Sequence, residues 1–373
     1  MIYFDNAATT KYKPKKVFEA VNFYLKNIGV SPGRGSYSLG IEASRMLYKA
    51  RCTIGSYFGM TRPDRVIFTK NSTEAINLFF NGFLNKGDHV IISCYEHNAV
   101  LRPLHNLMLK GEIEYSIIDK RDLSLDADSL YKKYVRTNTK VIALTLASNL
   151  TGRIIYNEDW IRFFKNKGVT TFIDSSQGAG KLSLNMSSSG IDFLAFTGHK
   201  DLYGLPGSGG LCCETAKKIR PLIQGGTGIH GENYINPDIF PEGFEAGTLN
   251  MPAIWALKAG VDYVSAHSDE IRKKEDKLVE YLLRGLKQLK GINVYDTDVK
   301  RVATCCFTVN GFSSDKVIAL LDKNGICARG GIHCSILAHE TIGTVQTGSV
   351  RISLNYMNSI SEIDQLLDIL GRR

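Results

Sequence analysis

The sequence has no apolar run long enough to cross a bilayer, no C-x-x-C pair among its eight cysteines, and no internal repeat or low-complexity linker. The start, MIYFDNAATT, lacks the basic stretch and apolar run of a secretory signal, so a cytoplasmic protein without a membrane partner is expected. Four cysteines form the adjacent pairs Cys212–Cys213 and Cys305–Cys306, poor geometry for disulfides, and reduced thiols are expected. Cys327, His333, Cys334 and His339 do not follow the spacing of zinc ligands, and no metal site is expected. Lys and Arg outnumber Asp and Glu by 46 to 37, yet the two signs are interspersed outside short clusters such as KYKPKK (Lys11–Lys16) and RKKEDK (Arg272–Lys277). That pattern favours solubility and attraction of anionic ligands, with no nucleic-acid partner.

What remains is a soluble globular chain of 373 residues, 43% hydrophobic and 22% charged, long enough for a large α/β unit with an appendage. Between Val66 and Cys213 lie seven short apolar runs: VIFTK, HVIIS, YSIID, KVIALTLAS, VTTFIDSS, IDFLAFTG and GGLCC. Amphipathic stretches such as TEAINLFFNGFL and NEDWIRFFKNKG separate several of them. Runs so continuously apolar predict strands covered on both sides, hence a mostly parallel seven-stranded sheet with helices on both faces. After Met251 a long charged amphipathic segment, strand-like VATCCFTVNG and SVRISLNY, and the helical SSDKVIALLDKNG and ISEIDQLLDIL predict a smaller α+β domain. The expected division is a large domain at 15–258 and a small one at 259–373, joined by the N-terminal segment 1–14 and closely packed. Ligands of such sheets bind outside the carboxyl ends of the strands.

Familiar phosphate motifs fail: in QGAGKLS, Leu182 and Ser175 stand where the P-loop needs a hydroxyl and a glycine, and GLPGSGG lacks the dinucleotide spacing. Three strand ends carry chemistry instead. Asn71, Ser72 and Thr73 precede a helix, where hydroxyls and free N–H groups make either an anion site or an ordinary cap. Asp174 ends VTTFID as a possible cap, metal ligand or ring partner, and Lys200 follows IDFLAFTGH, where a solvated lysine is the plain alternative. Together an anion cradle, a carboxylate and an amine at one sheet edge suit pyridoxal phosphate. Its aldehyde condenses with a lysine, and an acid keeps its ring nitrogen protonated.

The segments DNAATT, NSTEAIN, EHNA (Glu96–Ala99), SN (Ser148 and Asn149), DSSQ (Asp174–Gln177), FTGHK (Phe196–Lys200), FEAGTLN (Phe244–Asn250), RGGIHC and RISLNY occur in order over nearly the whole chain. With them the sequence resembles the class V aminotransferase family and, within it, the cysteine desulfurases. The resemblance implies a fold-type I pyridoxal phosphate-dependent transferase that forms a homodimer. It implies that Lys200 carries the cofactor, Asp174 pairs with the pyridine nitrogen, Gln177 bonds the phenolic oxygen, and His97 stacks on the ring. Ser72, Thr73, Thr197 and His199 would hold the phosphate, and Thr248 would reach the neighbouring subunit's phosphate. Arg351 would bind the substrate carboxylate, assisted by Asn149.

RGGIHCS is similar to the Arg-x-Gly-x-His-Cys motif of the desulfurase branch with a short catalytic loop, matched at Arg329, His333 and Cys334. The resemblance implies that a Cys334 thiolate attacks the sulfur of substrate L-cysteine, leaving a persulfide and alanine, with Lys200 as proton shuttle. Arg329 is expected at the substrate, and His333 is expected as a nearby proton acceptor for the thiol. An acceptor protein would then take the sulfur, whether in iron–sulfur cluster assembly, tRNA thiolation or a specialised pathway. Two departures stand out: Ser335 where alanine is commoner, and Arg34-Gly35-Ser36-Tyr37 where the family often has Arg-Gly-x-His. Selenocysteine lyase, another β-elimination or transamination, and a cofactor-bearing scaffold are the competing readings. Against the scaffold stand the intact Lys200, Asp174, Arg351 and Cys334.

Overall fold

Each of the seven apolar runs forms a strand in the computed structural model, which describes residues 1–33 and 35–372; Arg34 of the departing motif lies outside them. In chain order the strands are β1 (Ile2–Tyr3), β2 (Val66–Thr69), β3 (Asp88–Ser93), β4 (Ile113–Ile118), β5 (Thr139–Thr145), β6 (Thr170–Asp174), β7 (Phe193–Thr197), β8 (Gly209–Cys213), β9 (Ile292–Val294), β10 (Thr304–Val309), β11 (Ile326–Cys327), β12 (Arg329–Gly331) and β13 (Ser349–Ser353). The large sheet has the order β2-β8-β7-β6-β5-β3-β4, and only β8 runs antiparallel to its neighbours. The period of two along each strand serves two cores at once. Phe172, Phe193 and Ala195 enter one, while Ile173, Leu194 and Phe196 enter the other. Phe79 of the helix Ser72–Phe83 stacks on Phe172 at 4.4 Å between ring centroids. Burying such a ring contributes about 1.5–3 kcal/mol.

The glycines of GLPGSGG, which fit no nucleotide motif, answer a packing need. A Cβ on Gly209 would meet the Asn71 Cα at 2.7 Å, so a side chain there would push β8 away from the loop that opens the helix Ser72–Phe83. Lys181 of QGAGKLS is likewise structural: buried, it pairs with Glu275 at 3.1 Å and Asp201 at 3.4 Å.

The long charged segment is one helix, Met251–Gln288, of 38 residues. At 1.5 Å per residue it is about 57 Å long. Its first turns pack Met251, Ile254 and Leu257 into the large core, and its last turns place Leu278, Leu282 and Leu286 in a second core. Residue 258, the expected division, lies inside this helix. The second core is covered by an antiparallel sheet of order β12-β13-β10-β9 and by the helices Ser314–Lys323 and Ile360–Gly371. The N-terminal segment joins the halves: β1 pairs with β11, Asp5 bridges Ser353, and the Thr10 hydroxyl donates to the Lys200 carbonyl at 2.9 Å.

Candidate active site

A cavity opens at the carboxyl ends of β5, β6 and β7 and is lined by Ser72, Thr73, His97, Asn149, Asp174, Gln177, Thr197, His199 and Lys200. The sequence therefore brings together eight of the nine residues expected at the cofactor, together with Asn149. Thr248 is the exception. It lies away from this cavity, beside Gly247, Leu249 and Asn250 at the start of the long helix.

Asp174 is buried at the end of β6 and accepts the Ser176 N–H at 3.0 Å and the Ser176 hydroxyl, both on Oδ1. Burial raises its pKa, while the Ser176 bonds and the Lys200 charge oppose the rise. Burial pulls the Lys200 ammonium from 10.5 down to about 8, against the attraction of Asp174 and with added repulsion from Arg351. Near neutral pH a usable share of this amine is therefore an uncharged nucleophile. Because its folded pKa is depressed, its stability contribution is full above 10.5 and lost as pH falls through about 8. Reductive methylation of Lys200 by a small aldehyde should accordingly level off past a midpoint near pH 8, not near 10.5, when followed by peptide mapping.

His97 caps the helix Asn98–Leu109 through Nδ1, which accepts the Ala99 N–H at 3.0 Å and leaves the proton on Nε2. Burial first, then the charges of Lys200, Arg351 and Arg102, push it down to about 3. A neutral imidazole of such low basicity suits packing against a ring better than carrying a proton. His199 is also neutral, lowered to about 4 by burial and by Lys200 and Lys13. Its Nδ1 and the Thr197 Oγ1 are buried without a protein partner. Each such orphan costs about 1–3 kcal/mol. Beside the helix N-terminus at Ser72, they fit the oxygens of a phosphate.

The nucleophile candidate sits on the loop that follows β12. Cys334 is exposed, and both it (φ 55°) and His333 (φ 56°) occupy the left-handed region. That conformation costs about 1–2 kcal/mol per residue. The loop is held against the cavity wall: Asn98, next to His97, donates its N–H to the Cys334 carbonyl at 2.8 Å, and Asn149 Nδ2 donates to the His333 carbonyl at 2.9 Å.

A family model described as Aminotransferase class-V matches residues 2–366. This chain belongs to the class V aminotransferase family. A probable cysteine desulfurase of Methanothermobacter thermautotrophicus is 31% identical over 99% of this chain and 94% of its own length. One of Pyrococcus abyssi is 31% identical over 99% of this chain and 93% of its own. The apo structure of a cysteine desulfurase from Thermococcus onnurineus superposes with a TM-score of 0.91 at 30% identity, covering all of this chain and 94% of that one.

Within this class V aminotransferase, side chains expected at the substrate and at the thiol already have partners inside the protein. Arg351 is buried and its Nη2 already pairs with Asp5 Oδ1 at 2.6 Å, while Arg329 Nε lies 3.3 Å from Asp5 Oδ2. The two arginines expected at a substrate carboxylate thus share an internal one, and Arg351 Nε is buried without a partner. Asn149 supports Arg351 through its backbone carbonyl, 3.0 Å from Nη1, because its side chain is taken by the cysteine loop. His333 is no acceptor for the thiol. Its Nε2 donates to the Arg329 carbonyl at 3.2 Å, which leaves Nδ1 to accept from His339 Nε2 at 3.4 Å, while His339 Nδ1 accepts from the Thr344 hydroxyl at 2.7 Å. Burial and the Arg351 charge push His333 down to about 3. Gln177 Nε2 is bonded to the Ala7 carbonyl at 2.8 Å, so its amide is anchored by the N-terminal segment. Asp5 lies within DNAATT, but its partners are more than 320 positions away, so nothing local in the sequence marks its role.

Proposed function

We propose that this enzyme is a cysteine desulfurase that moves the sulfur of L-cysteine onto Cys334 and releases L-alanine. The observation that supports this reading best is the juxtaposition of an exposed cysteine, on a loop fastened to Asn98 and Asn149, with the cavity that holds Lys200 and Asp174. The residues fit pyridoxal phosphate. Thr197, His199, Ser72 and Thr73 would take the phosphate, Asp174 the pyridine nitrogen, His97 a ring face and Gln177 the phenolic oxygen. When bound, the cofactor supplies an electron sink beside the amino acid's Cα, which makes the Cβ–S bond labile.

The chain's own groups do the rest. Arg351, aided by Arg329, orients the substrate carboxylate. Lys200, with its lowered pKa, moves a proton at Cα and Cβ. The Cys334 thiolate attacks the substrate sulfur; the S–S bond forms as the Cβ–S bond breaks, and a proton replaces sulfur on Cβ. The sum is cysteine plus thiol giving alanine plus persulfide, balanced without an outside oxidant. The exposed persulfide then passes to an acceptor protein. The position of Thr248, away from its own chain's cavity, supports a homodimer in which it serves the neighbour. The setting we propose is the cytoplasm.

Incubation of the purified protein with L-cysteine, followed by intact mass and peptide mapping, tests the reading. One extra sulfur on the peptide containing Cys334 and matching alanine are expected. Alanine without sulfur on that peptide would overturn it.

A further inference from the structure

We infer that Ser335 is a positioning residue which, with Asn149, clamps the peptide of Cys334 and so sets where the reacting sulfur lies; this rests on the desulfurase reading. Ser335 is fully buried, and its hydroxyl donates to Asn149 Oδ1. The other end of the same carboxamide, Nδ2, donates to the His333 carbonyl at 2.9 Å. One side chain therefore grips the residue before Cys334 and the residue after it. The amide orientation is forced, because only nitrogen can face the His333 carbonyl. Between the two grips His333 and Cys334 hold positive φ, a conformation their side chains disfavour. The thiol itself takes no part in the clamp, and it stays exposed.

The clamp is also tied to the carboxylate reader. Arg351 Nη1 donates to the backbone carbonyl of Asn149 at 3.0 Å, so one residue joins the group that orients the substrate to the loop that presents the nucleophile. Small displacements of a nucleophile weigh heavily on rate, since near-attack geometry is a narrow target. Binding of the substrate, by contrast, does not involve the Ser335 hydroxyl. The loss should therefore fall on kcat and spare KM.

The test uses the holoenzyme and Ser335→Ala, which removes the donor, with Ser335→Thr, which restores a hydroxyl. For Ser335→Ala, kcat for alanine release should fall about tenfold, equivalent to about 1.4 kcal/mol, with KM within about twofold. Amide hydrogen exchange of residues 329–342 should rise at least about fivefold while the rest of the chain is unchanged. The visible spectrum should be unaltered, and Ser335→Thr should recover most of the kcat. Unchanged kcat and exchange in Ser335→Ala would overturn the clamp, as would a rise in exchange throughout the chain. Failure of the wild-type protein to load sulfur on Cys334 would instead sink the desulfurase reading, and the local exchange readout would still decide for or against the clamp.

Discussion

Cys334→Ser should release no measurable alanine from L-cysteine, a fall of at least about 10³-fold, the order at which loss of a nucleophile acts in other enzymes. The substitution is close to isosteric. It keeps the loop, the Asn98 and Asn149 grips on its backbone, and the cavity unchanged, so the variant should bind pyridoxal phosphate with the wild-type spectrum. A thiolate is a far stronger nucleophile toward sulfur than a hydroxyl. Five of the other seven cysteines are buried. Cys212, Cys213, Cys305 and Cys306 are buried, and burial pushes all four thiols up, Cys305 to about 12. Cys94 is buried beside Thr341 and is pushed up to about 11 by burial. Alanine quantified after cysteine addition checks the prediction. Wild-type rates in Cys334→Ser would assign the sulfur chemistry to a route without an enzyme thiol, as a selenocysteine lyase type of β-elimination requires.

Local features made much of this legible. Each apolar run became a strand because residues such as Phe172 and Ile173 must each find a core on opposite faces of one sheet. Lys200 and Asp174 line one cavity because strand ends in parallel sheets converge on one edge, a rule that needs only the strand pattern. What stayed hidden depends on contacts between distant segments. The sequence holds Asp5 and Arg351 in plain view, but their pairing follows from the N-terminal segment lying along β13, through the Asp5–Ser353 bridge. His333 reads as a proton acceptor until the chain brings its ring against the Arg329 carbonyl and His339. Asn149 reads as a substrate ligand until the loop claims its amide. In each case the partner is set by tertiary geometry.

The Asp5–Arg351 pair carries the second large effect. Arg351 is 2% exposed; burial lowers its pKa, and the Asp5 charge opposes that shift. Asp5→Ala removes the counter-ion and leaves a buried charge with one backbone acceptor, the Asn149 carbonyl. Breaking one side of a buried pair costs about 3–5 kcal/mol, so the variant should show a clear fall in the midpoint of denaturant unfolding. Asp5→Asn keeps an acceptor oxygen for Nη2 and should lose about half as much. The charge count then gives a sharper result. Arg329, Arg351 and Asp5 together leave one net positive charge, which a single substrate carboxylate neutralises. Without Asp5 the site holds two positive charges, and a monocarboxylate would supply the missing counter-ion directly. L-Alanine, the product that no longer turns over, should therefore stabilise Asp5→Ala against thermal unfolding more than it stabilises the wild-type protein. Equal stabilisation of both would mean that Arg351 does not read the amino-acid carboxylate.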